Sequence, residues 1–277
     1  PTEVSMNATT KRASAMTGGS KTEIRQCPIH GEYIARWFRI RRRPPAPSDL
    51  EGWTECPICA LEAGQRVSAQ AQAELAQERQ QSSMRQLERR LAGSLIPQRF
   101  LGKTFENYRV EHEGQREALL DLQAYADDFA DVLAQGRCLL LVGRTGTGKT
   151  HLSCAVANSI VRRGYTALFR TVQEVIRHVR SSWGPGGRPE EEAIAELVAP
   201  DLLILDEVGV QYGKEAELVT LFDVMNARYS ACKPSIVLSN LTLEEIEVFL
   251  GQRVMDRLRE NGGRAVSFNW ESERAKR

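Results

Sequence analysis

No stretch of this 277-residue chain approaches the roughly 20 consecutive apolar residues that cross a bilayer, which argues against a membrane-spanning helix and a membrane partner. It has no surplus of charge either: 37 Lys and Arg stand against 36 Asp and Glu, a net of +1. A uniformly basic coat for nucleic acid is thereby excluded, and any such surface has to be local. The first residues are rich in Ser, Thr and Lys without an apolar signal region, so the chain reads as cytoplasmic. Residues 1–20 are small, polar and unpatterned, as expected of a disordered tail. Residues 21–64 hold few large apolar side chains, too few to fold on a core of their own. Residues 65–92 lack Pro and Gly and are rich in Ala, Gln, Glu, Leu and Arg, which predicts a helical linker over 65–94, stopped by Gly93.

What the core-poor segment does contain is Cys27-Pro-Ile-His30 followed by Cys56-Pro-Ile-Cys59. Paired ligands two residues apart are what a tight turn presents to a tetrahedral zinc ion, and the repeated Pro-Ile insert predicts two similar knuckle turns facing one metal. Four protein ligands leave no open position, which favours a structural over a catalytic zinc, one that would supply the stability residues 21–64 otherwise lack; a redox-active or unpaired cysteine pair is the alternative. Between the pairs, Arg36 to Arg43 alternates basic and apolar residues, which suggests a strand with one charged face. The other cysteines, Cys138, Cys154 and Cys232, lie in or beside apolar patterns and read as small buried hydrophobes.

From residue 95 the chain has the length of one larger domain, 95–277. Gly114 to Leu133 carries helical periodicity. Beyond Gly136, strands expected at 138–142, 166–170, 201–206, 235–239 and 264–268 alternate with helices at 149–163, 172–182, 190–198, 215–230, 242–250 and 252–260. Such alternation predicts an α/β domain whose parallel sheet is covered by helices on both faces. Directly after the first of these strands stands Gly143-Arg144-Thr145-Gly146-Thr147-Gly148-Lys149-Thr150, and directly after that a helix opening with His151. Strand, glycine loop and helix together form a phosphate-binding loop: backbone N–H groups and the helix N-terminus converge on an anion. Lys149 is placed to reach the β- and γ-phosphates of ATP, and the Thr150 hydroxyl to hold magnesium.

The apolar strand Leu202-Leu203-Ile204-Leu205 ends in Asp206-Glu207. Asp206 is expected in the magnesium shell and Glu207 beside the water that attacks the γ-phosphate. The next strand ends at Ser239-Asn240, which sets an amide by the same crevice; an ordinary turn Asn is the alternative. Arg253 and Arg257, four residues apart, share a helical face, and one of them would act in trans if that face meets a neighbour's nucleotide.

These motifs, with Thr104-Phe-Glu-Asn-Tyr-Arg-Val110, Glu113-Gly114-Gln115 and Phe268-Asn-Trp270, resemble the AAA+ ATPases, and among them the bacterial DnaC/DnaI helicase loaders. The resemblance covers residues 95–271 and implies a P-loop ATPase domain without the full helical lid, assembling side by side into a homo-oligomer through the ATP site. It also implies binding to single-stranded DNA and to a replicative ring helicase of the DnaB type. In its light Lys149, Thr150, Asp206, Glu207 and Asn240 take the ATP-site roles, and Arg257, before Arg253, that of the finger. The first 90 residues depart from DnaC and look more like the zinc-binding, helicase-contacting domain of DnaI. The helix after the second strand is where the family contacts DNA, which nominates Arg177, Arg180 and Trp183, the last also readable as a buried cap. Two other functions stay open: an IstB-like transposition regulator assembling on duplex DNA, and a zinc-dependent DNA-binding adaptor whose nucleotide site is only a sensor.

Overall fold

The computed structural model describes residues 21–40, 50–182, 189–209 and 215–272. The tail over 1–20, the basic residues 41–43 and Trp183 lie outside the described residues. The chain divides into two compact units between Gln81 and Ser82.

In the first unit, β1 (Thr22–Cys27), β2 (Gly31–Ile40) and β3 (Leu50–Trp53) form an antiparallel sheet in the order β1-β2-β3. Its buried apolar positions among the described residues are Cys27, Ala35 and Cys56, so the thiols occupy the place a hydrophobic core would take. Trp37 meets Trp53 edge-on at 5.4 Å across the β2–β3 ladder. Arg25 of β1 lies over the Trp53 ring, and Arg39, on the strand expected to carry a basic face, pairs with Glu51 at 3.1 Å. The helix α1 runs from Pro57 to Gly93, starting earlier than the linker composition suggested. Pro57 explains the start, because proline is preorganised for the first turn of a helix and sacrifices no hydrogen bond there. The second ligand pair therefore opens a helix, whereas the first closes a hairpin, and the two knuckles differ.

The second unit has five parallel strands in the order β5-β6-β7-β4-β8: β4 (Leu139–Gly143), β5 (Ala167–Thr171), β6 (Leu202–Val208), β7 (Ser235–Ser239) and β8 (Arg264–Phe268). Successive side chains of a strand face opposite ways, so the unbroken apolar runs serve two cores at once. Leu139, Leu141, Leu202, Ile204, Ile236 and Leu238 pack on one face with α2 (Glu113–Asp127), α3 (Phe129–Gln135) and α4 (Lys149–Arg162). Leu140, Val142, Leu203, Leu205 and Val237 pack on the other with α5 (Val172–Arg180), α6 (Glu190–Val198), α7 (Glu215–Ser230), α8 (Leu243–Leu250) and α9 (Gln252–Arg259). Leu87 and Leu91, near the end of α1, pack on the first of these cores.

Helix starts follow local chemistry. Thr171 Oγ1 accepts from the Glu174 amide while Glu174 Oε2 accepts from the Thr171 amide, and Thr242 with Glu245 repeats the arrangement at α8. The periodic stretch over 114–133 is two helices, broken at Asp128. Of the three cysteines expected inside, Cys154 is fully buried, Cys138 half-buried and Cys232 exposed at a positive φ of 51°. Cys232 sits in the turn between α7 and β7, where the chain reverses and no core reaches it.

Candidate nucleotide-binding site and metal centre

In a parallel sheet every strand delivers its carboxyl end to the same edge, and the loops there converge. The glycine loop leaves β4 at that edge. Gly143 has φ of 130°, and a Cβ on it would stand 2.3 Å from the Phe268 carbonyl oxygen of the neighbouring β8, so only glycine fits. Gly148, the N-cap of α4, has φ of 100°. Lys149 begins the helix, is 6% exposed, and donates from Nζ to the Gly143 and Arg144 carbonyls at 2.6 and 2.8 Å. These bonds fold the ammonium back onto the backbone of its own loop.

Thr150 Oγ1 donates to Asp206 Oδ2 at 2.9 Å, which joins the first turn of α4 to the end of β6 across the intervening β7. Hydroxyl and carboxylate side by side are the hard oxygen donors magnesium requires. At the same point the β6–β7 ladder slips between Leu205 and Val208, and Glu207 takes φ of 63°. A non-glycine residue held there costs about 1–3 kcal/mol, and such strain gathers where a side chain has to be aimed. The Glu207 amide donates to Asp206 Oδ1 at 2.8 Å, and its side chain is exposed.

Ser239 is in register with both Val142 and Val208, so the exposed Asn240 one residue further stands between the glycine loop and the acidic pair. His151 takes the Thr104 carbonyl at 3.0 Å through Nε2, and burial holds its pKa below the usual 6.5. Arg144 and Thr145 lie in the loop itself, and Thr147 Oγ1 braces it by donating to the Arg144 carbonyl at 2.8 Å.

Arg253 and Arg257 are not brought to this crevice by their own chain. Arg257 lies over the Tyr229 ring at 4.9 Å and lines a hollow of about 270 Å³ with Cys138 and Ser235, which mark the amino ends of β4 and β7, the edge opposite the loop. Arg253 is exposed on the same helix. On α5, Arg177 is exposed and Arg180 half-buried, while the helix itself starts beside Asp206, with which Thr171 is paired.

Residue reading missed three side chains that shape this unit. Tyr108 and Trp270 both donate to the Thr147 carbonyl, at 3.3 and 2.9 Å. They were legible only as residues of the family resemblance, without a role. Arg228 is 1% exposed. Its signal was its place at the end of the series Leu221, Val224, Met225, 228, the inward face of α7.

In the first unit the metal ligands expected from spacing meet. Cys27, His30, Cys56 and Cys59 present ligand atoms within 4.8 Å of one another. His30 Nδ1 stands 3.8, 3.8 and 3.3 Å from the Cys27, Cys56 and Cys59 sulfurs, and Cys27 Sγ is 3.6 Å from Cys59 Sγ. A tetrahedron with zinc–sulfur bonds of about 2.3 Å has edges of about 3.8 Å, so the donor set fits zinc in size and chemistry. The backbone N–H groups of Ile29 and His30 lower the Cys27 thiol to about 6, while the Cys27 sulfur beside it raises Cys59 to about 11. Crowded sulfurs of this kind are what a dication relieves. His30 Nε2 points at Glu62 Oε1, 3.4 Å away, the outer carboxylate that fixes a ligating imidazole.

Against known proteins, residues 58–277 match the family model described as IstB-like ATP binding protein. The chain is 37% identical to the replicative helicase loader DnaC of Escherichia coli strain K12 over 173 residues, 62% of this chain and 69% of that protein. It is 32% identical to the replicative helicase loader DnaC of Buchnera aphidicola subsp. Baizongia pistaciae over 191 residues, 69% of this chain and 76% of that protein. A crystal structure of the DnaC helicase loader superposes with a TM-score of 0.55 at 20% identity, over 61% of this chain and 98% of that one, a likeness of fold.

Proposed function

The chain belongs to the AAA+ family of IstB-like ATP binding proteins and DnaC helicase loaders, and from that membership we propose that it is an ATP-dependent loader of a replicative ring helicase. The observation that carries the ATP part is the Thr150–Asp206 contact at 2.9 Å with Lys149 beside it, a preformed seat for magnesium and triphosphate. Lys149 would release its loop carbonyls for the β- and γ-phosphates, and Thr150 with Asp206 would hold the magnesium that offsets their charge. Glu207, aimed by its bulge, takes the proton of the attacking water, and Asn240 holds that water or senses the γ-phosphate. Arg257, with Arg253 as the other candidate, lies at the opposite edge and would serve a neighbour's nucleotide, so that ATP binding and homo-oligomer assembly are one event.

The zinc unit supports a helicase-docking role through its likeness to DnaI, and a cytoplasmic site of action follows from that role. Arg177 and Arg180 on α5 are the proposed contacts to single-stranded DNA, with Trp183 beyond them. The match to IstB-like ATP binding proteins keeps open the second reading that the sequence resemblance offered, a transposition regulator assembling on duplex DNA. Capture with the full-length chain separates the two. Co-purification of the cognate DnaB-type helicase with ATP supports the loader, and capture of a transposase without helicase would overturn it.

A further inference from the structure

Two aromatic side chains from outside the nucleotide motifs converge on one backbone oxygen. The Trp270 indole N–H and the Tyr108 hydroxyl both donate to the Thr147 carbonyl, at 2.9 and 3.3 Å. They come from far apart in sequence, Tyr108 from the segment before α2 and Trp270 from just beyond β8. Their seats are built. Trp270 packs on Phe268 with ring centroids 4.9 Å apart and on Gly114, where a Cβ would touch the indole at 3.4 Å. Tyr108 stands edge-on to His151 at 5.2 Å and so close over Gly148 that a Cβ there would come within 2.7 Å of the ring. Thr147 is 1% exposed, and its hydroxyl is held by the Arg144 carbonyl, so the residue has little freedom to turn.

We infer that Tyr108 and Trp270 are positioning residues for the phosphate-binding loop, orienting the Thr147–Gly148 peptide so that the Gly148 N–H faces the bound phosphate. The warrant is the planarity of the peptide unit. In a trans peptide the carbonyl and the following N–H point in opposite directions. Holding the Thr147 oxygen toward the two rings turns the Gly148 N–H to the other side of the loop, into the cradle. A flipped peptide would instead aim a carbonyl dipole at the triphosphate, whose charge it opposes. Neither residue touches the reacting atoms, and the effect belongs to nucleotide binding. It accounts for part of the family-specific sequence: Tyr108 and Trp270 as donors, Gly114 as the space the indole needs.

This inference rests on the ATP-site reading, and the experiment separates the two. The full-length chain is titrated with a fluorescent N-methylanthraniloyl ATP, and steady-state hydrolysis supplies KM and kcat. Tyr108→Phe keeps the ring and removes the donor, Trp270→Phe removes the donor and leaves a smaller aromatic ring in the same seat, and each is expected to raise Kd and KM about threefold. Because both donors serve one oxygen, the double variant loses more than the product, about thirtyfold, with kcat at saturation within about twofold of the parent. A double variant with parental Kd overturns the positioning role alone. So does a variant whose kcat falls while KM stays put, which marks general damage. A parent that does not bind the analogue overturns the ATP-site reading and the positioning role with it. Should Trp270→Phe fold poorly, Tyr108→Phe, which removes a single oxygen, carries the same test.

Discussion

Arg228 is the perturbation whose cost can be worked most directly from the structure. It stands on the inward face of α7, fully buried, and no carboxylate pairs with it among the described hydrogen bonds. Its guanidinium donates to the Leu197, Val198, Pro200 and Pro234 carbonyls at 2.9, 3.2, 3.1 and 2.6 Å, and to Ser235 Oγ at 3.0 Å. One side chain thus closes the carboxyl end of α6 and ties the approaches to β6 and β7, the strands that carry Asp206, Glu207 and Asn240. Arg228→Met keeps most of the buried volume and removes every donor.

Leu197, Pro234 and Ser235 are then left as acceptors in fully buried contacts, each costing about 1–3 kcal/mol. Against this stands the returned cost of keeping a charge out of water, visible in a pKa that burial draws down to about 10. Three such acceptors, less what is recovered by no longer burying a charge, leave a net cost of about 3–5 kcal/mol. For a unit of this size that is a fall in melting temperature of roughly 6–20 °C, measured by calorimetry. Arg228→Lys should recover only part of it, since one ammonium cannot reach carbonyls on three sides. A fall below about 3 °C for Arg228→Met would refute the reasoning, because the carbonyls would then have found water or each other.

Four further outcomes are expected. Glu207→Gln should bind ATP as the parent does and hydrolyse it about 10²–10⁴ times more slowly; a parental rate removes Glu207 from the chemistry. Mixed with parental subunits, Arg257→Ala should silence its neighbour's hydrolysis while still binding nucleotide, and lost binding would place the arginine in cis. Dialysed protein should keep about one zinc per chain, and Cys59→Ser should lose both the metal and the exchange protection of β1 and β2, leaving the melting of the second unit in place. The pH test concerns His151, whose folded pKa lies below 6.5 because burial disfavours its cation. The stability held above 6.5 is lost as pH falls from there toward the folded value, so His151→Gln should melt with a flatter pH dependence over that window. Equal slopes for parent and variant would mean that the imidazole is not desolvated in solution.

Much of this molecule is legible in the sequence alone. The parallel sheet followed from unbroken apolar runs such as Leu202 to Leu205, because a strand buried on both faces has no polar side to alternate with. The helix over 215–230 and the strand over 235–239 fall where periodicity placed them. Element ends were harder. Pro57 starts a helix inside the metal module, and Asp128 divides another, since a single capping or turning residue outweighs a favourable composition. Cys232 looked buried by its apolar neighbours, but a turn carries it to the surface.

The sequence by itself determined which chemistries are possible. Cys27, His30, Cys56 and Cys59 make a donor set of the kind zinc takes wherever the fold lets them meet, and the residues from Gly143 to Thr150 carry the glycine loop and helix start suited to wrapping an anion, because local backbone freedom and a helix start are properties of contiguous residues. Tertiary structure alone decided who stands beside whom. It set Thr150 against Asp206, strained Glu207 in a bulge, and sent Arg257 to the far edge of the sheet. It also brought Tyr108 and Trp270 to one carbonyl. Such pairings depend on strand order and register, which arise when the whole sheet closes, and so no stretch of contiguous residues carries them.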